Sequence, residues 1–140
     1  MNYPIAAACG LTILAFVAHI AGGLRESLSV EPSKVIGENG SHANLKILDR
    51  NWVQMMCAFQ LVSVDLLGIS FLLYLLAFTN VLSPAQPIAW GLTVVYLLWG
   101  LSWLIQLLAL KRKPIDFLFL GHWSFWFLCA GLVYWGSWSL

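Results

Sequence analysis

Charge is scarce in this chain. Aspartate, glutamate, lysine and arginine make up 9% of it, and 61% of the residues are hydrophobic; a soluble domain carries roughly 25% charged residues. A water-soluble fold of 140 residues has too little interior to hide so much apolar surface, so the expected solvent is lipid. Neither sign of charge dominates. The net charge of +1 argues against nucleic-acid binding, which wants a basic patch. Cysteine is limited to Cys9, Cys57 and Cys129, one in each of three apolar runs and with no CxxC spacing. That pattern argues against a disulfide framework or a thiolate metal site and for thiols packed as small hydrophobes. The amino terminus, MNYPIAAACG, has no positively charged leader, so the first apolar run is expected to be retained as a helix. A hydrolase elbow, a phosphate loop, HExxH and a dinucleotide fingerprint are all missing, and catalysis has no positive support in the sequence.

What is present is apolar sequence in long runs. The run from Trp52 to Phe78 is ~40 Å long as a helix, enough to cross a ~30 Å hydrocarbon core with some tilt. Its ionisable side chain, Asp65, sits almost at its centre. The reading is an all-α, integral membrane four-helix transmembrane bundle forming one domain, 1–140. Its helices are expected over about 3–24, 51–78, 84–110 and 114–138. In the first, Ala8, Thr12, Ala15, His19 and Gly22 form a stripe of small and polar residues suited to close helix packing, and Gly22-Gly23 is expected to loosen its end. Residues 25–50 form a polar loop, with a short interfacial helix near Leu45–Leu48 leading into the second span. Ser83-Pro84-Ala85-Gln86 reads as a capping box with proline at the first helical position. Lys111-Arg112-Lys113-Pro114 is a tight basic turn before the fourth helix.

The seven basic residues set the orientation. Arg25, Lys34, Lys46 and Arg50 follow the first helix, and Lys111, Arg112 and Lys113 follow the third. Both loops then lie in the cytoplasm, with both termini on the non-cytoplasmic side. The same asymmetry argues against insertion in two orientations. Tyr3, Tyr74, Trp90, Tyr134, Trp135 and Trp138 would form an outer aromatic belt, and Trp52 would anchor the inner one. Asn39-Gly40-Ser41 matches a glycosylation sequon, but it would lie in the cytoplasm and is read as chance. His42 in the same loop is read as solvated.

Depth follows from orientation. His19 lies ~8 Å and His122 ~12 Å inside the cytoplasmic ends of their helices; Gln60 and Gln106 fall in the same leaflet, with Asp65 nearer the midplane. On the second helix Gln54, Ala58, Leu61, Asp65 and Gly68 share one stripe, and Gln60 points ~140° away from Asp65. Trp99, Ser102 and Gln106 share a stripe on the third helix; His122, Trp126 and Cys129 share one on the fourth. Each stripe is expected to face the bundle. A carboxyl at the midplane costs ~2.5 to 3.5 kcal/mol on insertion scales, which makes Asp65 a candidate proton-relay or cation-coordinating group. The structural alternative is a neutral acid stapling the second helix to Thr12 or His19. His19 and His122 together would suit paired haem ligands or two ligands of a metal; otherwise they are two hydrogen-bonded imidazoles gluing helices. The zinc reading lacks ligands. A quinone, lipid or pigment could stack among the tryptophans and phenylalanines, although interface anchoring accounts for nearly all of them.

The run His19-Ile20-Ala21-Gly22-Gly23-Leu24-Arg25-Glu26, with Phe59-Gln60-Leu61-Val62-Ser63-Val64 and His122-Trp123, resembles a group of small bacterial four-helix membrane proteins of uncharacterised function. In that group the second helix tends to read Trp-His where this chain has Phe59-Gln60, and the fourth Gln-Trp where it has His122-Trp123. The resemblance implies a bacterial inner membrane and contact between Gln60 and His122; it brings no activity. Three functions follow from these readings. The leading one is a homo-oligomeric or accessory subunit of a membrane complex, with lipids, further copies or another membrane protein as partners. The second is proton or small-solute movement centred on Asp65. The third is a haem- or quinone-binding redox protein using His19 and His122.

Overall fold

A computed structural model describes residues 1–32 and 42–140, apart from the side chains of 42–44. The sequon Asn39-Gly40-Ser41 and the side chain of His42 lie outside that description. The chain is all-α and 85% helical. Its elements are α1 (Tyr3–Ala18), a π-helical turn (His19–Gly23), α2 (Leu24–Ser29), α3 (His42–Phe78), α4 (Ala85–Ala109), α5 (Pro114–Phe119) and α6 (His122–Ser137). Three stretches are long and apolar enough to cross a membrane: Tyr3–Ser29, Leu45–Phe78 and Ala85–Ala109.

Several boundaries differ from the sequence reading, each for a local reason. The first helix does not end at the glycine pair; it widens into the π turn and runs on to Ser29. Gly23 keeps ordinary right-handed helical dihedrals, and a chain in an apolar medium gains by bonding its backbone internally. The second helix begins at His42 and absorbs the expected interfacial helix. Neither glycine nor proline falls between Ser41 and Gly68, and Leu45, Lys46, Leu48 and Arg50 are good helix formers. Before α4, Pro84 is the N-cap in an extended conformation, with no side-chain cap bond, so the capping box does not form. The Ser83-Pro84 peptide is cis.

The fourth apolar run is two helices, with a turn at Leu120-Gly121 between them. Pro114 opens α5, where its missing N–H costs nothing; the Lys113 backbone N–H donates to Asp116 Oδ2 at 3.2 Å. Arg112 Nε meets the same carboxylate oxygen at 2.9 Å. The turn interrupts the helical bonding of backbone carbonyls, which are costly to leave unpaired away from water. Side chains cover them: Trp123 Nε1 donates to Phe117 O at 2.9 Å, Trp103 Nε1 to Leu120 O at 3.0 Å, and Ser124 Oγ to Gly121 O at 2.7 Å.

The described residues form two compact units, Met1–Thr12 with Ile69–Leu140, and Ile13–Gly68. The larger unit holds the core: Ile5, Ala8 and Cys9 of α1, Leu73, Leu76 and Ala77 of α3, Ala89, Leu92 and Tyr96 of α4, and Cys129, Ala130 and Val133 of α6. Small residues let these helices close up. A Cβ on Gly100 would stand 2.6 Å from the Phe127 ring, and one on Gly136 would stand 2.5 Å from Ile5 Cγ1. Asn2 ties three chain segments at one end. Its backbone N–H donates to Ala77 O at 2.9 Å, and its side-chain amide donates to Gly136 O at 2.7 Å and Ser139 Oγ at 3.1 Å.

In the smaller unit the π turn meets α3. The His19 ring stacks on Phe59 with centroids 3.8 Å apart. A Cβ on Gly23 would stand 2.9 Å from the Phe59 ring, so the wide turn and its glycine make room for that aromatic. Below them Trp52 Nε1 donates to Ser27 O at 3.0 Å.

Candidate functional site

The packing faces are not the stripes that polar residues mark out. On α3, Gln54, Ala58, Leu61, Asp65 and Gly68 are all exposed, and the buried line is Ser63, Leu66, Ser70, Leu73 and Ala77. That line also repeats at helical spacing, but it is made of serine, leucine and alanine, which a search for polar groups passes over. On α4, Ser102 and Gln106 are exposed, while Ala89, Thr93, Tyr96, Gly100 and Leu107 are buried. On α6 the expected stripe divides: Cys129 is buried, Trp126 half-buried and His122 exposed. The first helix follows its stripe only at the start, with Ala8 and Thr12 fully buried and Gly22 exposed.

The candidate residues therefore have different settings. His19, Gln60 and Asp65 belong to the smaller unit, Gln106 and His122 to the larger. His19 is half-buried, and its Nε2 stands 3.1 Å from Phe59 O. A carbonyl oxygen only accepts, so Nε2 carries the proton and Nδ1 keeps the lone pair. Nδ1 lies 3.9 Å from the Cβ position of Gly23, and it is the nitrogen left for a metal or a proton. His122 is exposed and lies against Trp103, ring centroids 4.4 Å apart, beside the turn that Trp103 itself completes. Asp65, Gln60 and Gln106 are exposed, and no side-chain hydrogen bond joins them to another described residue. A haem held by His19 and His122 would need one ligand from each unit. Among the described residues no three His, Cys, Asp or Glu side chains gather closely enough to hold a metal ion.

The best-built polar contact is one the sequence reading did not single out. Thr12 Oγ1 and the Tyr96 hydroxyl lie 2.5 Å apart, and both residues are completely buried. Thr12 also donates to Ala8 O at 2.8 Å. A threonine hydroxyl has one hydrogen, so Tyr96 is the donor to Thr12. An aromatic group surrounds this pair: Tyr96 stacks on Trp126 with centroids 6.0 Å apart, and Trp99 meets both rings edge-on. Cys9 Sγ donates to Ser70 O at 3.4 Å. Thr12 was visible as part of a small-residue stripe. Tyr96 had only its place one turn before Trp99 to mark it.

At the end tied by Asn2, an open depression of about 610 Å³ is lined by Asn2, Ala77, Thr79, Asn80, Ser83 and Ser139, among others. The aromatic residues expected in the outer belt (Tyr3, Tyr74, Trp90, Tyr134, Trp135 and Trp138) are all exposed. No family model, no curated protein and no solved structure matches this chain.

Proposed function

We propose that the chain is a four-helix integral membrane protein, with α5 and α6 together forming the fourth span, and that it works as a subunit: a homo-oligomer or an accessory component of a membrane complex. One observation carries the reading. Asp65, Gln60, Gln106 and His122 are exposed on a helical chain whose long helices are apolar enough for lipid. Lipid offers no hydrogen bonds, so polar side chains at membrane depth gain by facing another protein surface. The basic residues, gathered after the first and third helices, favour both termini outside. The likeness to small bacterial four-helix proteins favours the bacterial inner (plasma) membrane.

The test is extraction of the intact protein into mild detergent or native-lipid particles, with particle mass and copurifying chains recorded. A mass above one chain, or a stoichiometric partner, is expected; a particle of one chain alone refutes the proposal. Reporter tags at the two ends should both respond outside the cell, and a split response refutes the orientation.

Asp65 also supports a second reading, because an exposed carboxyl with no side-chain hydrogen bond to another described residue is available to carry a proton or bind a small cation. Asp65→Asn should then abolish a pH-dependent flux in liposomes, and unchanged flux removes Asp65 from any transport role.

A further inference from the structure

We propose that the Lys111–Lys113 turn and the exposed face of α5 form a binding site for an anionic phospholipid; this rests on the membrane reading above and not on whether copies associate. The argument starts from where charge falls. The larger unit has four charged side chains, Lys111, Arg112, Lys113 and Asp116, all within six residues. Three cations against one carboxylate leave a net +2 there. Asp116 is engaged within the turn itself, by Arg112 Nε at 2.9 Å and the Lys113 backbone N–H at 3.2 Å. Lys111 and Lys113 are exposed, and no side-chain ion pair joins them to another described residue. The turn has a defined backbone. The Lys111 N–H donates to Leu108 O at 3.0 Å and the Arg112 N–H to Leu107 O at 3.1 Å, the pair of bonds that closes a helix when the residue after its cap turns left-handed. Lys111 has φ 49°, a conformation that glycine adopts freely and lysine only at a cost. Backbone geometry alone would favour glycine at that position, so the lysine charge calls for a use of its own.

The next helix supplies the apolar half. Ile115, Leu118 and Phe119 follow one another at the spacing that puts side chains on one helical face, and they are 50%, 76% and 80% exposed. Trp123 Nε1 donates to Phe117 O and Trp103 Nε1 to Leu120 O. These bonds tie α5 to α6 and α4, so its apolar face stays turned outward beside the cations. Cations with an apolar strip directly next to them match the two halves of a phospholipid. The phosphate would meet the terminal nitrogens of Arg112, whose Nε is held by Asp116, together with the two ammonium groups. An acyl chain would lie along Ile115, Leu118 and Phe119. An acidic protein segment would match the cations and leave Leu118 and Phe119 uncovered, so the lipid is the better fit.

The test is native mass spectrometry of the full-length chain released from mild detergent, titrated with dioleoylphosphatidylglycerol or, separately, dioleoylphosphatidylcholine. The wild type should bind phosphatidylglycerol tighter by roughly tenfold or more; equal affinity for the two lipids overturns the proposal. Lys111→Gly and Lys113→Gln should each weaken phosphatidylglycerol binding roughly fivefold. Helix content should stay the same in both, and thermal stability should rise in Lys111→Gly, where the left-handed strain is relieved. Lys111→Arg with Lys113→Arg should hold the wild-type affinity. Binding unchanged by both neutral substitutions overturns the proposal, and if one variant loses helix content the other decides. Glycerol 3-phosphate should compete far more weakly than the lipid, because it lacks the acyl chains; competition at equal concentration assigns the site to free phosphate and overturns the lipid reading. An acidic protein that copurifies with the wild type and is lost from both neutral variants, with no preference between the lipids, overturns it in favour of a protein partner. The same spectra give particle mass: a single chain carrying phosphatidylglycerol refutes the subunit reading alone, and an oligomer without lipid preference refutes this inference alone. A chain that stays in the soluble fraction on cell lysis overturns both.

Discussion

Replacing Thr12 by valine keeps the shape of the side chain and removes only its hydroxyl. The geometry makes the consequence unequal for its two partners. Thr12 donates to Ala8 O and accepts from Tyr96. In Thr12→Val the Tyr96 hydroxyl stays buried without an acceptor, and such a group costs about 1–3 kcal/mol, with apolar surroundings favouring the upper part of that range. In Tyr96→Phe, by contrast, Thr12 still donates to Ala8 O and loses only an accepted bond. That loss should cost about 0.6 kcal/mol and no more than about 1.7 kcal/mol, the mean and maximum for hydrogen bonds between membrane helices. The double variant has no stranded hydroxyl, so its cost should fall back toward that of Tyr96→Phe. The assay is reversible unfolding in a mixed-detergent titration, followed by helical circular dichroism and tryptophan fluorescence, for all four proteins of the cycle. A Thr12→Val cost no larger than that of Tyr96→Phe, or simple additivity in the double variant, would refute the assignment of Tyr96 as donor.

Other substitutions probe the rest of the packing. Gly136→Ala should destabilise by about 1–3 kcal/mol in the same titration, because the new methyl would stand 2.5 Å from Ile5 Cγ1 and 2.6 Å from Asn2 Oδ1; a neutral result would mean that α1 and α6 are farther apart. Trp103→Phe strips the indole donor from Leu120 O and should cost about 1 kcal/mol or more, with hydrogen exchange rising around residues 118–122 and unchanged exchange counting against the role given to the indole. A small membrane-permeant thiol reagent should modify exposed Cys57 well before buried Cys9 and Cys129; mass spectrometry of the peptides gives the order, and equal rates would contradict the burial.

What the residues made legible lies in the helices themselves. The apolar runs around α1, α3 and α4 were readable because a helix that excludes water needs little beyond length and hydropathy. The break at Leu120-Gly121 was not, since its glycine resembles others that sit inside helices here. What makes the turn tolerable is distant in sequence: the indole of Trp103, on another helix, caps Leu120 O. The polar stripes were legible as patterns, yet not as packing faces. Asp65 and Ser63 are two residues apart on α3, one exposed and one buried, and helical periodicity gives both an equally coherent stripe.

By itself, then, the sequence determined that the chain is helical and apolar, where its basic residues lie and which few ionisable side chains fall within its apolar runs. These are properties of single residues and of runs, and the cost of burying charge or exposing backbone acts on them locally. The tertiary structure decided which face of each helix turns inward, that Tyr96 meets Thr12, and that Asp65 and His122 are left outward. Those outcomes depend on whether small residues such as Gly100 and Gly136 allow a close approach to Phe127 and Ile5, and complementarity between surfaces far apart in the chain is a property of the pair, written in neither surface alone.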